Sequence, residues 1–260
     1  MPINRIKNLK EVTKIKNEKE SNVKKIMAEE RWNKRNARAY ERYIKIAPKK
    51  EEEFWENAIV NSSTNKNAFV LDLGTGTGFL ARILLKQGFK VIGLDLSKDM
   101  LDVARRKAPN AFLVRGDAEN IPLKDSSVDL IVSRWVLWTL LHPWKALEEV
   151  VRVLKPNGCA MLCDGESKNI SKPAVILGRI RSFFMDILIG WRLPTWRRVY
   201  KKLNPHLQRW NHEQISEKLR ELGVEDIKVV HNINKRSSLL HKLLFYSEWE
   251  QFVVIFSKRG

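Results

Sequence analysis

Residues 69–81 read Phe69-Val70-Leu71-Asp72-Leu73-Gly74-Thr75-Gly76-Thr77-Gly78-Phe79-Leu80-Ala81. The stretch begins as a short aliphatic run, passes through three glycines in five residues and continues in a helix-favouring pattern. It therefore predicts a strand, a tight turn and a helix. Glycine lacks a Cβ, so a ligand can approach the main chain, and the helix that follows presents unpaired N–H groups. We expect the turn to bind a ligand.

The spacing of the glycines separates two classes of nucleotide site. A dinucleotide fingerprint requires Gly-x-Gly-x-x-Gly, but Phe79 stands where its third glycine would be. The spacing here is Gly-x-Gly-x-Gly, and an aspartate lies two residues before the first glycine. This pattern resembles the first motif of class I S-adenosylmethionine (SAM)-dependent methyltransferases. The resemblance implies cofactor-binding roles for Asp72, Gly74, Thr75, Gly76 and Gly78.

A second carboxylate ends the next predicted strand, residues 90–95. Asp95 lies 21 residues beyond Gly74. A βα unit of that length brings the end of the second strand beside the glycine turn, where a carboxylate can accept both hydrogen bonds of a ribose diol. Ser97 is predicted to cap the following helix. Leu96 and Met100 supply apolar surface suited to one face of an adenine ring.

The third predicted strand, residues 111–115, ends in Gly116-Asp117-Ala118. In the methyltransferase family this acid-then-small pair lies beside the adenine. The resemblance therefore implies that Asp117 accepts from the exocyclic amine and that Ala118 donates its N–H to the ring. The likeness continues through the fourth strand, whose last residue, Ser133, is also assigned to the cofactor site. It then reaches a Lys-Pro-x-Gly turn at residues 155–158.

Residues 68–164 together are similar to the group that includes ubiquinone and menaquinone C-methyltransferases. The first five predicted strands and the hairpin near residues 227–231 and 252–257 imply a Rossmann-like, doubly wound α/β sheet. Its seven strands are expected in the order 3-2-1-4-5-7-6, with the last one antiparallel. We divide the chain into a basic N-terminal helical cap (1–66), a SAM-binding core (67–166), a helical lid (167–212) and the C-terminal part of the sheet (213–260).

The segment from Trp32 to Glu41 resembles an element that precedes the first motif in many small-molecule methyltransferases and closes over the cofactor. That resemblance implies a cofactor-binding role for Tyr40. The pattern predicts a helix from Ala28 to Ala47 with its aromatic residues along one face. The alternative is that this aromatic stripe only packs in the core.

The acceptor end of the site is expected just past the fourth strand, where Arg134, Trp135 and Trp138 are candidates for orienting the acceptor. Because a sulfonium cofactor carries the reactive methyl, the protein has chiefly to align the acceptor and exclude water. No catalytic base is assigned. The Asn/Asp-Pro-Pro-aromatic motif used for exocyclic base amines is absent after the fourth strand, and this argues against a common form of nucleobase methylation.

The net charge of +18 is concentrated in the flanks, with +7 in residues 1–66, +2 in residues 67–165 and +9 in residues 166–260. Such flanks suit an anionic partner, and the alternative is a solvated lysine-rich surface. In the predicted lid, aromatic residues alternate with basic ones, a composition that fits a lid over the acceptor, RNA or peripheral membrane contact. The basic residues are Arg192, Arg197, Arg198, Lys201 and Lys202.

Three functions therefore stay open: methylation of a small or medium-sized apolar or aromatic acceptor, methylation of RNA or protein, and SAM binding without transfer. Cys159 and Cys163 are predicted to be buried thiols in a reducing compartment. The five histidines lack metal-ligand spacing, so no metal site is predicted. No apolar run is long enough to span a bilayer, and we expect a cytoplasmic protein. The sequence leaves the oligomeric state open.

Overall fold

The computed structural model describes residues 18–46, 49–62, 65, 67–167, 210–231, 233 and 249–259. Within these residues, seven strands form one sheet in the order β3-β2-β1-β4-β5-β7-β6, which confirms the predicted topology. The strands are β1 (Phe69–Leu73), β2 (Lys90–Asp95), β3 (Phe112–Arg115), β4 (Val128–Arg134), β5 (Leu154–Ser167), β6 (Ile227–His231) and β7 (Trp249–Ser257).

The first five strands are parallel, because β1 pairs in parallel with β2 and β4, β2 with β3, and β4 with β5. Strand β7 is antiparallel to both of its neighbours, β5 and β6. Strands β5 and β6 consequently run in the same direction. The carboxyl ends of β1 to β6 all lie along one edge of the sheet, which is where doubly wound sheets bind their ligands.

Helices cover both faces of the sheet. Residues 18–26 are helical (α1) and lead into a π-helical turn, Met27–Arg31. The other described helices are α2 (Lys34–Ile46), α3 (Lys49–Ser62), α4 (Phe79–Lys86), α5 (Lys98–Lys107), α6 (Pro143–Val153) and α7 (His212–Glu221). Alternate residues of β1 point to opposite faces. Leu71 packs in a core cluster with Leu147 of α6 and Ile215 of α7, whereas Val70 packs in a second cluster with Ile59 of α3.

The N-terminal cap departs from the predicted continuous helix. The π-helical turn ends at Arg31, and residues 32–33 form a bend before α2 begins at Lys34. The side chain of Asn33 explains this break. Its Oδ1 accepts the N–H of Asn36 at 3.0 Å, while its Nδ2 donates to the carbonyl of Glu30 at 2.7 Å. Asparagine favours such helix-start contacts over helix interiors, so the prediction of one helix through residues 28–47 was wrong at this point.

Several local predictions are confirmed. The Ser97 side chain caps α5 by accepting the N–H of Met100. Cys163 is buried and Cys159 half-buried in the same core cluster, and both are free thiols. Burial raises the pKa of the Cys159 thiol to about 11.

The predicted lid lies outside the described residues apart from residue 167 and residues 210–212, and so do the first 17 residues of the basic cap. In the part of the chain that is described, no helix combines the length and the apolar character needed to cross a membrane.

Candidate functional site

The glycine turn between β1 and α4 forms the floor of a cavity at the carboxyl edge of the sheet. Gly74, Gly76 and Gly78 all have positive φ, at 69°, 54° and 83°. A Cβ placed on Gly74 would lie 2.2 Å from Cγ2 of Val136. Both the backbone conformation and the close neighbour therefore require glycine at this position. Gly74 and Gly76 line the cavity with main-chain atoms.

Asp72 shapes this turn from beneath. Its side chain is buried, and Oδ2 accepts the Thr75 hydroxyl at 2.6 Å and the N–H of Ala81 at 2.9 Å. Burial raises the pKa of Asp72 to about 7. These contacts tie β1 to the turn and to the first residues of α4. Asp72 therefore acts through the shape of the turn, since it does not line the cavity.

Asp95 lines the cavity at the end of β2. Its Oδ2 accepts the N–H of Gly76 at 2.8 Å, and its Oδ1 accepts the N–H of Ser97 at 2.8 Å. A backbone hydrogen bond from Leu96 also favours the charged carboxylate. Because each carboxylate oxygen can accept more than one hydrogen bond, Asp95 can in addition accept from a ligand hydroxyl in the cavity. Burial raises the pKa of Asp95 to about 6.

The predicted adenine residue Asp117 already has partners on both oxygens. Oδ1 accepts the N–H of Glu119 at 2.9 Å, and Oδ2 accepts the Lys24 ammonium at 2.6 Å. Lys24 also donates to Oε2 of Glu119 at 2.6 Å. Burial on its own would lower the pKa of Lys24, but the hydrogen bonds with the two carboxylates outweigh it and raise that pKa. The sequence offered no signal for this contact, because Lys24 and Asp117 lie 93 residues apart.

A buried ionic network joins the cap to the end of β4. Arg134 donates from Nε to Oε1 of Glu51 at 2.6 Å and from Nη2 to Oε2 at 3.0 Å. Its Nη1 donates to the Tyr40 hydroxyl at 2.6 Å. Burial opposes the charge of Arg134, but the nearby Glu51 carboxylate more than compensates, so the pKa of Arg134 lies well above its ordinary value. Sequence reasoning missed Glu51, although the buried Trp55 and Ile59 follow it at four-residue steps along one face of α3.

Of the three acceptor-orienting candidates, Arg134 and Trp135 line the cavity. Trp135 has a positive φ of 61°, uncommon for a bulky residue, and its N–H donates to the carbonyl of Cys163 at 2.8 Å. Trp138 lies outside the cavity lining. It belongs to a 3-10 turn, Leu137–Thr139, and its N–H donates to Oδ2 of Asp164 at 2.9 Å. Its ring centroid lies 4.4 Å from the Arg31 guanidinium carbon.

The structure brings most of the predicted cofactor residues together around one cavity of about 110 Å³. Those that line it are Tyr40, Gly74, Gly76, Asp95, Leu96, Met100, Asp117 and Ala118. Like Asp72, the remaining predicted residues support the turn. Thr75 donates its hydroxyl to Asp72, and Ser133 donates its hydroxyl to the carbonyl of Leu73 at 3.0 Å. Gly78 lets α4 approach α5, because a Cβ there would lie 3.2 Å from the Cα of Ala104.

Comparison with known proteins identifies the family. The family model described as "Methyltransferase domain" matches residues 71–162. Over 179 residues the chain is 30% identical to the demethylmenaquinone methyltransferase of Paenarthrobacter aurescens, a match that covers 66% of this chain and 69% of that protein. The chain belongs to the class I SAM-dependent methyltransferases.

The methyltransferase is also 45% identical over 94 residues to the biotin biosynthesis bifunctional protein BioHC of Cellvibrio japonicus. That match covers 36% of this chain and 19% of the relative, so the chain spans about a fifth of the length of that protein. Among solved structures, the phosphoethanolamine N-methyltransferase 2 of Haemonchus contortus superposes with a TM-score of 0.65 at 18% identity. This superposition covers 92% of the present chain and 61% of the Haemonchus chain, and it shows the shared fold.

The residues that line the cavity fit the chemistry of SAM, the cofactor of this family. The main chain at Gly74 is exposed to the cavity where a side chain could not fit. Asp95 offers a carboxylate beside it, and Leu96 and Met100 provide apolar surface. Such a combination of main-chain surface, carboxylate and apolar wall fits a nucleoside with a ribose diol.

Proposed function

We propose that this methyltransferase acts on a small or medium-sized apolar or aromatic acceptor. The observation that carries the proposal is the wall of the cavity beyond the predicted cofactor residues. Most side chains of this wall are apolar, and they include Met27, Trp32, Trp135, Val136, Leu140 and Leu141. The polar ones are Thr139 and the paired charges of Lys24, Glu119 and Arg134. An apolar wall with few polar groups favours an acceptor that buries hydrocarbon or ring surface.

The cofactor is proposed to bind between the sheet edge and the cap. Asp95 would accept the ribose hydroxyls, Leu96 and Met100 would flank the adenine, and Asp117 would accept from the exocyclic amine. When bound, SAM supplies a methyl group activated by the positive sulfur. The chemistry it would supply is methyl transfer, whose products would be the methylated acceptor, the demethylated cofactor and one proton.

The chain's own contribution is alignment and the exclusion of water. Tyr40 is held by the Arg134–Glu51 pair, and its ring meets Trp32 edge to face, with the centroids 6.4 Å apart. Trp135, which follows Arg134, is held through its backbone in a left-handed conformation. These fixed aromatic side chains would orient the acceptor against the methyl group.

The charges around the cavity support a small acceptor over RNA. Among the described lining residues, the cationic side chains are Lys24 and Arg134. Lys24 is bonded to Asp117 and Glu119, and Arg134 is bonded to Glu51 in a two-point pair. A phosphate would have to displace these carboxylates. The basic flanks still favour RNA as a second candidate substrate, because Lys/Arg-rich surfaces attract its backbone.

A direct test uses SAM with an isotopically labelled methyl group and three acceptors: demethylmenaquinol, which resembles the substrate named for the Paenarthrobacter relative, phosphoethanolamine and bulk tRNA. We expect label in the quinol product, with little change between low and high salt. Label in tRNA that falls steeply with salt, with a log–log slope of about 0.7 for each phosphate contact released, would reject the small-acceptor proposal. Label in phosphoethanolamine alone would reject the proposal that the acceptor is apolar.

A further inference from the structure

Three metal-ligating side chains meet at the sheet edge outside the cofactor cavity. They are Glu166 near the end of β5, His212 at the start of α7 and His231 at the end of β6. The Nδ1 atom of His212 lies 2.7 Å from Oε2 of Glu166, and Nδ1 of His231 lies 3.8 Å from Oε1. One ligand atom from each residue lies within 4.8 Å of the other two.

Strand topology creates this cluster. Glu166 pairs with Glu250 of β7, and His231 pairs with Phe252 of the same strand. Residues 250 and 252 point to the same face, because side chains alternate along a strand. Glu166 and His231 therefore approach each other over β7 on one face, and α7 brings His212 onto that face. The histidine spacing predicted no metal site, since Glu166 and His212 are 46 residues apart in the sequence.

His212 is held in place within the cluster by its neighbours. Asn211 and Gln214 form a capping box that fixes the first turn of α7 and with it the backbone of His212. The ring of His212 packs on the buried Phe252, with centroids 5.8 Å apart, and meets His231 nearly at a right angle, with centroids 4.5 Å apart. A site preorganised in this way loses little freedom when it binds an ion.

Charge and access also suit a cation. Across the described residues, the ion-pair partners of Glu166 are the two imidazoles, with no lysine or arginine among them. The side chains of Glu166, His212 and His231 are 18%, 24% and 39% exposed. The carboxylate thus lacks a permanent cationic partner in this part of the structure, and an ion can reach it from solvent.

We propose that Glu166, His212 and His231 bind one divalent transition-metal ion of the zinc type. Two imidazoles and one carboxylate are a ligand set typical of zinc sites that keep a water in the fourth position. Harder ions such as Ca²⁺ and Mg²⁺ prefer oxygen ligands throughout. Tetrahedral bonds of roughly 2.0–2.1 Å would space the ligand atoms about 3.4 Å apart. The two measured contacts involve different oxygens of Glu166, and the three ligand atoms lie within 4.8 Å of one another, so they would have to approach by up to about 1.4 Å to meet one ion.

Such an ion would fasten α7 and β6 to the end of β5. Two residues before Glu166 on the same strand, Asp164 accepts the N–H of Trp138, next to the segment that lines the cavity. Metal binding would therefore stabilise the sheet edge that supports the acceptor wall. The proposal concerns ion binding and does not depend on the acceptor.

The test titrates the full chain, first stripped with a chelator, with ZnCl₂ by calorimetry and with CoCl₂ by visible absorption. We expect one equivalent of ion per chain and tetrahedral ligand-field bands for cobalt. His231→Gln and Glu166→Gln should each weaken zinc binding by about tenfold or more. His142→Gln is the matched control, because it removes another imidazole near a carboxylate, 3.2 Å from Glu20. It should leave the affinity unchanged.

Thermal unfolding provides a second readout. A ligand that binds the folded state raises the unfolding temperature, so zinc should stabilise the wild type and the His142→Gln variant but not the two cluster variants. Circular dichroism and unchanged SAM binding would show that the variants are folded. Absence of zinc binding, or equal zinc affinity in wild type and both cluster variants, would overturn the proposal and leave the cluster as a hydrogen-bonded contact between β5 and α7.

Discussion

The two walls of the cofactor cavity are held in place by different kinds of contact. The wall formed by the sheet edge carries Gly74 in the turn after β1 and Asp95 at the end of β2, and these two strands are joined by backbone hydrogen bonds over the length of β1. The opposing wall is formed by one part of the cap, namely α1, α2 and the π-helical turn between them. Side chains make most of its contacts with the rest of the site. These joining contacts include Lys24 with Asp117, the Ser97 hydroxyl with the Trp32 carbonyl at 2.5 Å, and Asp99 with the N–H of Lys34 at 2.8 Å.

This difference indicates which wall moves. Breaking the sheet wall would cost several strand hydrogen bonds, whereas moving the cap costs a few polar contacts and the small apolar cluster of Ala37 with Met100 and Val103. The cavity of about 110 Å³ is also smaller than the roughly 300–1,000 Å³ of most small-molecule sites. We therefore expect the cap to shift outward when the cofactor binds, while the glycine turn stays in place.

The largest effect is expected at the buried pair that joins α3 to the sheet. Glu51→Ala leaves the Arg134 guanidinium buried without its carboxylate, and the free energy of unfolding should fall by about 3–5 kcal/mol. Glu52→Ala is the neighbouring control. It removes a partly exposed pair with Arg82 and should cost about 1 kcal/mol or less. Urea unfolding measures both, and equal losses in the two variants would contradict a structural role for the buried pair.

The next effect concerns the sheet wall. Asp95→Ala should weaken SAM binding by about 1.5–3 kcal/mol, because charge-assisted hydrogen bonds to the ribose hydroxyls are lost. Asp102→Ala removes an exposed carboxylate of α5 that pairs with Lys98 and should leave SAM affinity unchanged. Calorimetric titration distinguishes the two variants. An unchanged SAM affinity in Asp95→Ala would show that the ribose binds elsewhere.

The raised pKa of Asp95, about 6 in place of 3.8, gives the sheet wall a pH dependence. Only the ionised carboxylate can accept both ribose hydroxyls, so SAM affinity should be constant above pH 6 and fall by up to about tenfold for each pH unit below it. The free energy of unfolding depends on pH in the opposite direction. A raised carboxyl pKa stabilises the fold below pH 4, and this contribution is lost as the pH rises through 6. Asp95→Asn should remove the pH dependence of SAM affinity and reduce that of stability, to which Asp72 also contributes through its raised pKa of about 7. An affinity independent of pH between 5 and 7 in the wild type would contradict the assignment.

The smallest effect is expected at the cap wall. Lys24 forms an ion pair with Asp117 and so competes with an adenine amine for that carboxylate, and Lys24→Met should therefore increase SAM affinity by about threefold to tenfold, the value of one partly exposed charge-assisted hydrogen bond. Lys25→Met on the same helix is the control and should leave SAM affinity unchanged. Weaker binding in Lys24→Met would show that the ammonium assists the cofactor and does not compete with it.

The same two walls differ in how far the sequence predicted them. The strand, glycine turn and Asp95 follow one another within 27 residues, from Phe69 to Asp95, and short-range spacing fixes their geometry. The sheet order and eight lining residues could be predicted on that basis, together with the family resemblance. The contacts of Lys24 with Asp117 and of Glu51 with Arg134 join residues 93 and 83 positions apart. No local sequence pattern predicts contacts over such distances.

The errors have local physical causes. The cap helix breaks because the Asn33 side chain bonds to the backbone on both sides of it, which competes with helix continuation. Trp138 leaves the cavity lining because the 3-10 turn anchors its N–H on Asp164. The Glu166–His212–His231 cluster arises from pairing with β7, which the sequence predicted as a hairpin without specifying which side chains would meet.

The most direct test of the two-wall account is hydrogen exchange of the backbone amides with and without S-adenosylhomocysteine, the demethylated cofactor. We predict slower exchange in two separate regions on binding: residues 74–78 with 95–100 of the sheet wall, and residues 24–40 of the cap. The exchange rates of the amides in helix α7 should not change on binding. Protection confined to the sheet wall, with the cap exchanging as fast as before, would contradict the claim that the N-terminal helices enclose the cofactor.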